Sequence, residues 1–573
     1  MNKNVFLLAL VIWVTSITAN AQVLNKNTTF KLGGLGRSII TSDRLGGDLI
    51  AGDTLSPNKG LGGYTLFDLN MDLSINKIFN ANTIMRMKNP YGSFYGQDTY
   101  FEFRQLQFRG QISRSLKYEF GDIYIGMTPF TVFNAYDPSA SRFESDIFKA
   151  RRDILEYENF YVDNKWRLQG VQLFYNVDSV AIFKQIGVNV FGVRTNITND
   201  ANVADRIFVG GRLDLVQSDM LRVGLNAVSY TDLPVSQTEI ALKNEVYTAD
   251  AAFKWENDVL MLGIGGELGT SSFSYKNKVG DTSNAFSDFF YKPEVKAGIK
   301  PVKLLVTASY RNVGPQFNSQ GAQTQRVNVG VNPAIFPTVN QGTANRGQML
   351  FDRMTEEKIY NRNIAPTLGG FLPQYGNITP YGQATPNRTG FSAGIATDTS
   401  LKNIAFEVNI DLLTEVKGEG SPELRKYTGI RGGASVNVGG LLKWNRLLDV
   451  TAGVRQENTT RDGDAAVDFK STIIDAGLAI ETLKRVDLIG GVKMLSAKGN
   501  EYLSNRNNFN QINGFTAYQY DGSENIYSAG LRFRFAEFAQ ASVMYNTSQV
   551  TRNLTTNTNY TYDQLFMSFI LKF

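Results

Sequence analysis

The chain has 573 residues, 42% hydrophobic and 19% charged, with a formal net charge of +5. It contains no Cys and no His, which excludes disulfides, thiolate metal sites, a lipoprotein anchor and catalysis through cysteine or imidazole. The charge surplus is too small for a chain of this length to imply nucleic-acid binding.

Residues 1–21 read as a signal peptide. Met1-Asn2-Lys3-Asn4 is a short basic start and 5–17 an apolar core. Ala19-Asn20-Ala21 then places small residues where a signal peptidase reads, so cleavage is expected before Gln22. No later apolar run approaches the ~20 residues that a spanning helix needs.

From residue 22 onward apolar residues recur with period two. In 67–75 the odd positions Phe67, Leu69, Met71, Leu73 and Ile75 are apolar and the even ones polar, and 404–412 repeats the pattern. A helix would scatter such residues around its circumference, whereas a strand collects them on one face. The expected strands are 28–40, 63–76, 82–88, 99–110, 115–126, 165–176, 182–194, 205–216, 219–230, 245–255, 259–270, 289–299, 302–311, 388–396, 402–413, 428–440, 447–456, 469–480, 486–497, 525–535, 539–549 and 561–573. That makes about 22 strands (20–24), an even number as single-chain bacterial barrels have.

The connections alternate between tight links, at 217–218, 256–258, 300–301 and 536–538, and long polar stretches, at 127–164, 271–288, 312–387 and 498–524. Short periplasmic turns and long extracellular loops produce this rhythm and put both termini in the periplasm. The expected fold is therefore all-β: 22–573 as a single transmembrane antiparallel β-barrel. Its first strand lies too near the cleavage site for a plug domain to precede it. Trp166, Trp255 and Trp444 fall at strand ends or turns, where an interfacial girdle belongs, although packing suits each nearly as well.

If the apolar face meets lipid, the other face lines the lumen. It then turns Arg212, Arg222, Lys254, Arg431, Arg455, Arg532 and Arg534 inward, with Glu267 and acids such as Asp214, Asp250, Asp411 and Asp487. The two signs nearly balance along the wall, which predicts weak ion selectivity. Arg532 and Arg534, two residues apart, could grip a carboxylate or phosphate; pairing with acids on neighbouring strands is the favoured reading.

Loop 312–387 holds seven of the fifteen prolines and is no hidden strand. Its stretch 352–360 has room for two helical turns. Loop 127–164 carries Phe143, Ile147, Ile154 and Leu155 at helical spacing, an amphipathic helix that could narrow the pore, cap the barrel or dock a partner. Asp462, Gly463, Asp464 and Asp468 read as a solvated turn without the ligand pattern of a calcium loop. Glycine pairs such as Gly210-Gly211 and Gly432-Gly433 lie within strands and suit bends in a barrel wall. No cofactor site, metal site or catalytic arrangement is expected.

The chain closes on 562–573, where Leu565, Met567, Phe569, Leu571 and Phe573 share one face. This stretch resembles the C-terminal signal read by the barrel insertion machinery, carried by Phe569, Leu571 and Phe573. It should pair with 539–549 on one side and 28–40 on the other. With the signal peptide and the strand rhythm, the whole mature chain resembles Gram-negative outer-membrane porin-like barrels. Gln22 at the mature start, with abundant Asn, Tyr and Lys, looks like a Bacteroidetes protein. The resemblance implies a cell outer membrane location, contact with its lipid, and passive or weakly selective diffusion of small hydrophilic solutes without enzymatic chemistry. The alternative is a non-enzymatic structural or interaction barrel within a secretion, uptake or surface-attachment complex, with surface or periplasmic protein partners.

Overall fold

A computed structural model describes residues 22–25, 27–48, 59–76, 78–91, 98–135, 140–196, 204–233, 240–277, 280–331, 346–397, 401, 403–554 and 559–573. The expected signal peptide, 1–21, lies outside the described residues. Every expected strand is present, from Thr28–Gly47 to Tyr560–Lys572. Each is antiparallel to its neighbours in chain order, as hairpins dictate. The last strand pairs with Ala539–Arg552 on one side and with Thr28–Gly47 on the other, so the 22 strands close into a barrel. A short additional strand, Gln22–Asn25, folds back on Thr28–Gly47 alone.

Burial along the strands is inverted relative to a soluble fold. On Ile512–Ala536, Glu524, Ile526 and Ser528 are buried while Tyr527, Leu531 and Phe535 are exposed. On Leu260–Asn277, Ser271 and Phe273 are buried while Leu262, Ile264 and Leu268 are exposed. An apolar outer face, polar side chains such as Glu524 and Ser271 turned inward among apolar ones, and no open edge is an arrangement that hydrocarbon permits of strands. The chain is a transmembrane β-barrel.

The exposed apolar belt starts at the tight turns, where Val259, Val302 and Phe538 stand out, and ends at Tyr247, Tyr527 and Tyr545. Beyond those tyrosines the outward positions become polar: Glu245, Ser523, Asp521 and Thr547. A crossing needs only ~9–11 residues of tilted strand. Ile512–Ala536 has 25, so its remainder stands clear of the belt on the long-loop side. This corrects two expected loops. The stretches 271–288 and 498–524 are largely strand, in the hairpins Leu260–Asn277 with Gly280–Ile299 and Val486–Arg506 with Ile512–Ala536. Outside the belt neither face need be apolar, so the alternating signal fades while the ladder continues. Similarly, the strand expected to reach residue 440 ends at Asn437, where Val438–Leu441 forms one helical turn.

Candidate functional site: the barrel interior

The described residues of the two loops singled out in the sequence pack inside the barrel. Loop 127–164 contains helix α1, Asp146–Glu158. It buries Ile147, Phe148, Arg151, Arg152, Leu155 and Glu158; of the expected stripe, Ile147 and Leu155 are buried, Ile154 is half-buried and Phe143 precedes the helix. The second segment is mainly irregular, with one helical turn at Asp352–Thr355 and a 3-10 turn at Glu357–Ile359 in place of two continuous helical turns.

This second segment touches inward-facing groups on widely separated strands. Asn244 donates to Asn318 O (2.9 Å) and Tyr230 to Ile364 O (3.0 Å). Tyr375 donates to Glu524 (2.8 Å), and Asn377 N to Glu457 (2.7 Å). One segment that meets the inner face on both sides of a closed ring must lie within it. Apolar packing completes the fill. Ile147 and Phe148 of α1 cluster with Met349, Phe351 and Met354 against wall residues Ile473, Ile489 and Ile526. Phe130 stacks on Phe290 at 3.9 Å and joins Phe317 in a second cluster. Trp166 belongs to that cluster: it is buried and its Nε1 donates to Gly321 O (2.8 Å), so it packs inward and has no girdle role. Trp255 and Trp444 are exposed.

Helix α1 is fixed to the wall at both ends by buried ion pairs. Before its first turn, Glu144 accepts from Lys493 Nζ (2.6 Å) and Arg152 Nη2 (2.8 Å), and Lys493 also meets Asp475 (2.8 Å). Burial opposes the charge on Glu144, but the two cations outweigh it and hold its carboxyl down to about 2. Asp146, in the first turn and favoured there by the helix dipole, accepts from Arg532 (2.8 Å). At the C-terminus Glu158 is the wrong sign for the dipole. Three wall arginines compensate. Arg37 and Arg86 bond the Glu158 carboxylate, and Arg104 bonds its carbonyl and shares Asp68 with Arg86. Burial again raises, and this cluster more than offsets it, leaving Glu158 at about 2.

The helix approaches the wall closely over glycines. A Cβ on Gly477 would lie 2.1 Å from Ser145 Cβ, and one on Gly491 would lie 2.9 Å from Ile147 Cγ2. Gly433 and Gly453, opposite one another in register, similarly leave room for Ser141. Gly433, expected as a bend, is thus a seat for the interior segment.

Among the described residues, charged cavities lie beside this fill, two of them adjoining. One of about 600 Å³ is lined by Arg431 and Arg455. Its other cations are Arg142, Arg152, Lys292, Arg311, Arg326 and Arg353, against the acids Glu294, Glu407, Asp411 and Glu457. The second, of about 830 Å³, is lined by Arg212, Arg222, Lys254 and Glu267 with Lys292, Lys296, Asp214, Asp250 and Glu294. Lys292, Glu294 and Gln383 line both, so the cavities adjoin. Five cations face four acids around the second, and eight face four around the first. Arg212 is held by Asp250 (2.6 Å) and Arg222 by Asp214 (2.5 Å), while Lys254 pairs with Glu256 (3.1 Å). Glu267 accepts from Thr128 (2.6 Å) of the first interior segment. Arg532 and Arg534 are not in either cavity; both pair with the fully buried Asp487 of the adjacent strand, each at 2.8 Å. Of the terminal-strand residues, Phe569 is exposed on the belt, Leu571 sits opposite Ala539 and Gly36, and Phe573 stacks on Phe67 at 5.2 Å.

Sequence reasoning missed the anchoring role of Lys493, Glu144 and Glu158 and the contribution of Arg326 and Arg353. Their residue types were visible, but nothing local distinguishes an inward anchor from a solvated loop charge.

No family model matches the chain, and no curated protein matches it. Among solved structures, OccK5 (OpdH) of Pseudomonas aeruginosa is similar at 10% identity and a TM-score of 0.35, covering 95% of this chain and 98% of that one. The outer membrane protein OprD of Pseudomonas aeruginosa gives 10% identity and 0.35 over 95% and 94%. The ferric citrate transporter FecA in its unliganded form gives 10% and 0.47 over 94% and 78%. Neither identity nor superposition is high enough to carry a substrate or a role to this chain.

Proposed function

We propose that this protein is an outer-membrane, porin-like channel for small hydrophilic solutes, narrowed by its own interior segments. The observation that carries this reading is the pair of adjoining charged cavities left inside a closed barrel with an apolar belt. Large strand numbers make room for a lumen, and here two folded loops take up much of it. Arg212, Arg222, Lys254, Glu267, Arg431 and Arg455 are then the wall that a passing solute meets, while Arg532 and Arg534 brace the wall through Asp487. The charged side chains act as walls and anchors, and no enzymatic role is assigned. The tight turns face the periplasm and the long loops the exterior; Phe569, Leu571 and Phe573 form the signal for the insertion machinery.

Planar-bilayer recording of the purified full chain tests the reading. Small, stable conductance steps are expected, and deletion of 316–385 should enlarge them severalfold. A barrel that stays silent in both forms, and co-purifies with other envelope proteins, would support the alternative of a component within a larger complex.

A further inference from the structure

At one seam, between Tyr100–Gln111 and Leu116–Ile125, side chains close the wall where main-chain bonds run out. These strands pair over only five positions, from Gln111 opposite Lys117 to Gln107 opposite Gly121, whereas Leu116–Ile125 pairs with Trp166–Val180 over ten. Both strands are irregular at the same height. Gly121 has a φ of +86°, which favours glycine, and a register shift in Tyr100–Gln111 leaves the successive residues Arg104 and Gln105 both buried. Beyond Gly121, Asp122 accepts from Leu106 N (2.7 Å) and pairs with Arg167 (3.0 Å). Arg167 donates to Arg104 O, and Tyr124 to Gln105 (3.2 Å). Ile123 and Ile125 are wholly buried, so Asp122 and Tyr124 hold outward positions, and Gln169 and Arg167 oppose them in register. A charged pair thus interrupts the apolar belt, beside Phe101 and Phe103, which are 73% and 69% exposed. Arg167 Nε has no hydrogen-bond partner. From inside, the residues that end helix α1 back the seam. Arg104 bonds Tyr157 O (2.9 Å), and the Phe160 ring, on a backbone of φ +52°, meets the Arg104 and Arg167 guanidiniums at 4.2 and 3.8 Å.

We propose that this seam is a lateral gate in the barrel wall, passing amphipathic molecules with a single acyl chain between the bilayer and the interior. It goes beyond the channel reading and does not depend on conduction along the barrel axis. Elsewhere, parting two strands would strip main-chain groups of their partners in hydrocarbon, which the bilayer forbids. Here side chains bridge the strands, and they can part and pair again without breaking a ladder. A separation of one further strand spacing, about 4.8 Å, admits one extended chain and is too narrow for a two-chain lipid. Only a molecule dissolved in the bilayer reaches a mouth at this depth. Phe101, Phe103 and Leu106 meet its chain, while Asp122, Tyr124 and Gln169 offer hydrogen bonds to its polar head. Tyr157 and Phe160 stand behind the seam, so a shift of the end of helix α1 releases Arg104 and Arg167 together.

The test uses the chain purified from outer membranes and placed in phosphatidylcholine vesicles. Trp166 is buried in the interior opposite Ile125, beside the seam. Trp255→Phe and Trp444→Phe leave it the one tryptophan after residue 21. Lysophosphatidylcholine with a brominated acyl chain should quench Trp166 in a saturable way, and brominated diacyl phosphatidylcholine should not. The chain has no Cys, so a disulfide can be introduced cleanly. Leu106 and Asp122 follow the last ladder pair on the same face, within reach of one another. Oxidising Leu106→Cys with Asp122→Cys should abolish the quenching, and reduction should restore it. If that variant does not assemble, Arg167→Gln serves: with the latch lost, quenching should deepen. Equal quenching by both lipids, or quenching that neither oxidation nor Arg167→Gln alters, overturns the gate. Bilayer recording of the same protein separates the two readings. Conductance without latch-sensitive quenching overturns the gate and leaves the channel. Latch-sensitive quenching without conductance overturns the channel and leaves the gate. Absence of both overturns both.

Discussion

Lys493 Nζ lies 2.6 Å from Glu144 and 2.8 Å from Asp475, with its side chain wholly shielded from solvent. A lysine of the wall thus holds the entry to the interior helix across 349 positions of sequence. Removing one member of a buried ion cluster leaves the others uncompensated, at a cost of about 3–5 kcal/mol. In Lys493→Met, Glu144 keeps Arg152 while Asp475 loses the ammonium that it pairs with. Amide exchange over 140–158 should accelerate while the wall strands keep their protection. Unchanged protection over 140–158 would mean that packing alone seats the helix.

The same anchors predict a pH response. Glu144 and Glu158 are held down to about 2 from an ordinary 4.5. A depressed carboxyl contributes stability that is fully present above 4.5 and is lost as pH falls toward 2. Helix α1 should therefore stay in place between pH 8 and pH 5 and loosen between pH 4.5 and pH 2. Single-channel current recorded in steps from pH 7 to pH 3 checks this; a transition centred near pH 6 would locate the switch elsewhere.

The glycine seat gives a third prediction, one that spares every charge. In Gly477→Val, the new Cβ would sit 2.1 Å from Ser145 Cβ, closer than any packed carbons approach. Gly477 is on a wall strand whose backbone is fixed on both sides, so the interior segment must yield. The variant should assemble with native heat-modifiable mobility, yet show larger or noisier conductance. Native conductance from a fully assembled Gly477→Val barrel would show that the segment has room to shift without opening the path.

What the sequence makes legible follows from where its physics is local. Alternation at Phe67, Leu69 and Met71 reports the lipid belt directly, so all 22 strands can be placed. Above the belt, Tyr518 and Tyr520 face inward and Gln519 and Asp521 outward, so the pattern reads as an aromatic-rich polar loop although the ladder is unbroken. Helix α1 is legible as a helix, because its stripe is local, but its location is not. That depends on Glu144 with Lys493, Glu158 with Arg37, and glycines at 477 and 491, pairings set by closure of the whole ring. The opposition of Arg431 and Arg455 is likewise invisible until register is known, because one residue of slip would separate them.

The final prediction separates address from closure at the terminal strand. Phe573 joins the first strand through its main chain, where Gly34 N donates to Phe573 O (2.8 Å) and Phe573 N to Gly34 O (3.1 Å). Its ring stacks on Phe67. Phe573→Ala removes the ring and keeps both main-chain bonds, so folded stability should fall by only about 0.5–1.5 kcal/mol, the worth of an aromatic pair. Gly34→Val is the reverse case: a Cβ there would stand 2.1 Å from Asp68 O, and the ladder beside the seam cannot form. If the C-terminal aromatic is the signal for insertion, Phe573→Ala should sharply lower the amount reaching the outer membrane while purified, detergent-refolded protein melts close to native. Gly34→Val should fail both in cells and on refolding. Equal outer-membrane levels for Phe573→Ala and native chain would reduce the terminal Phe to a packing residue at the seam.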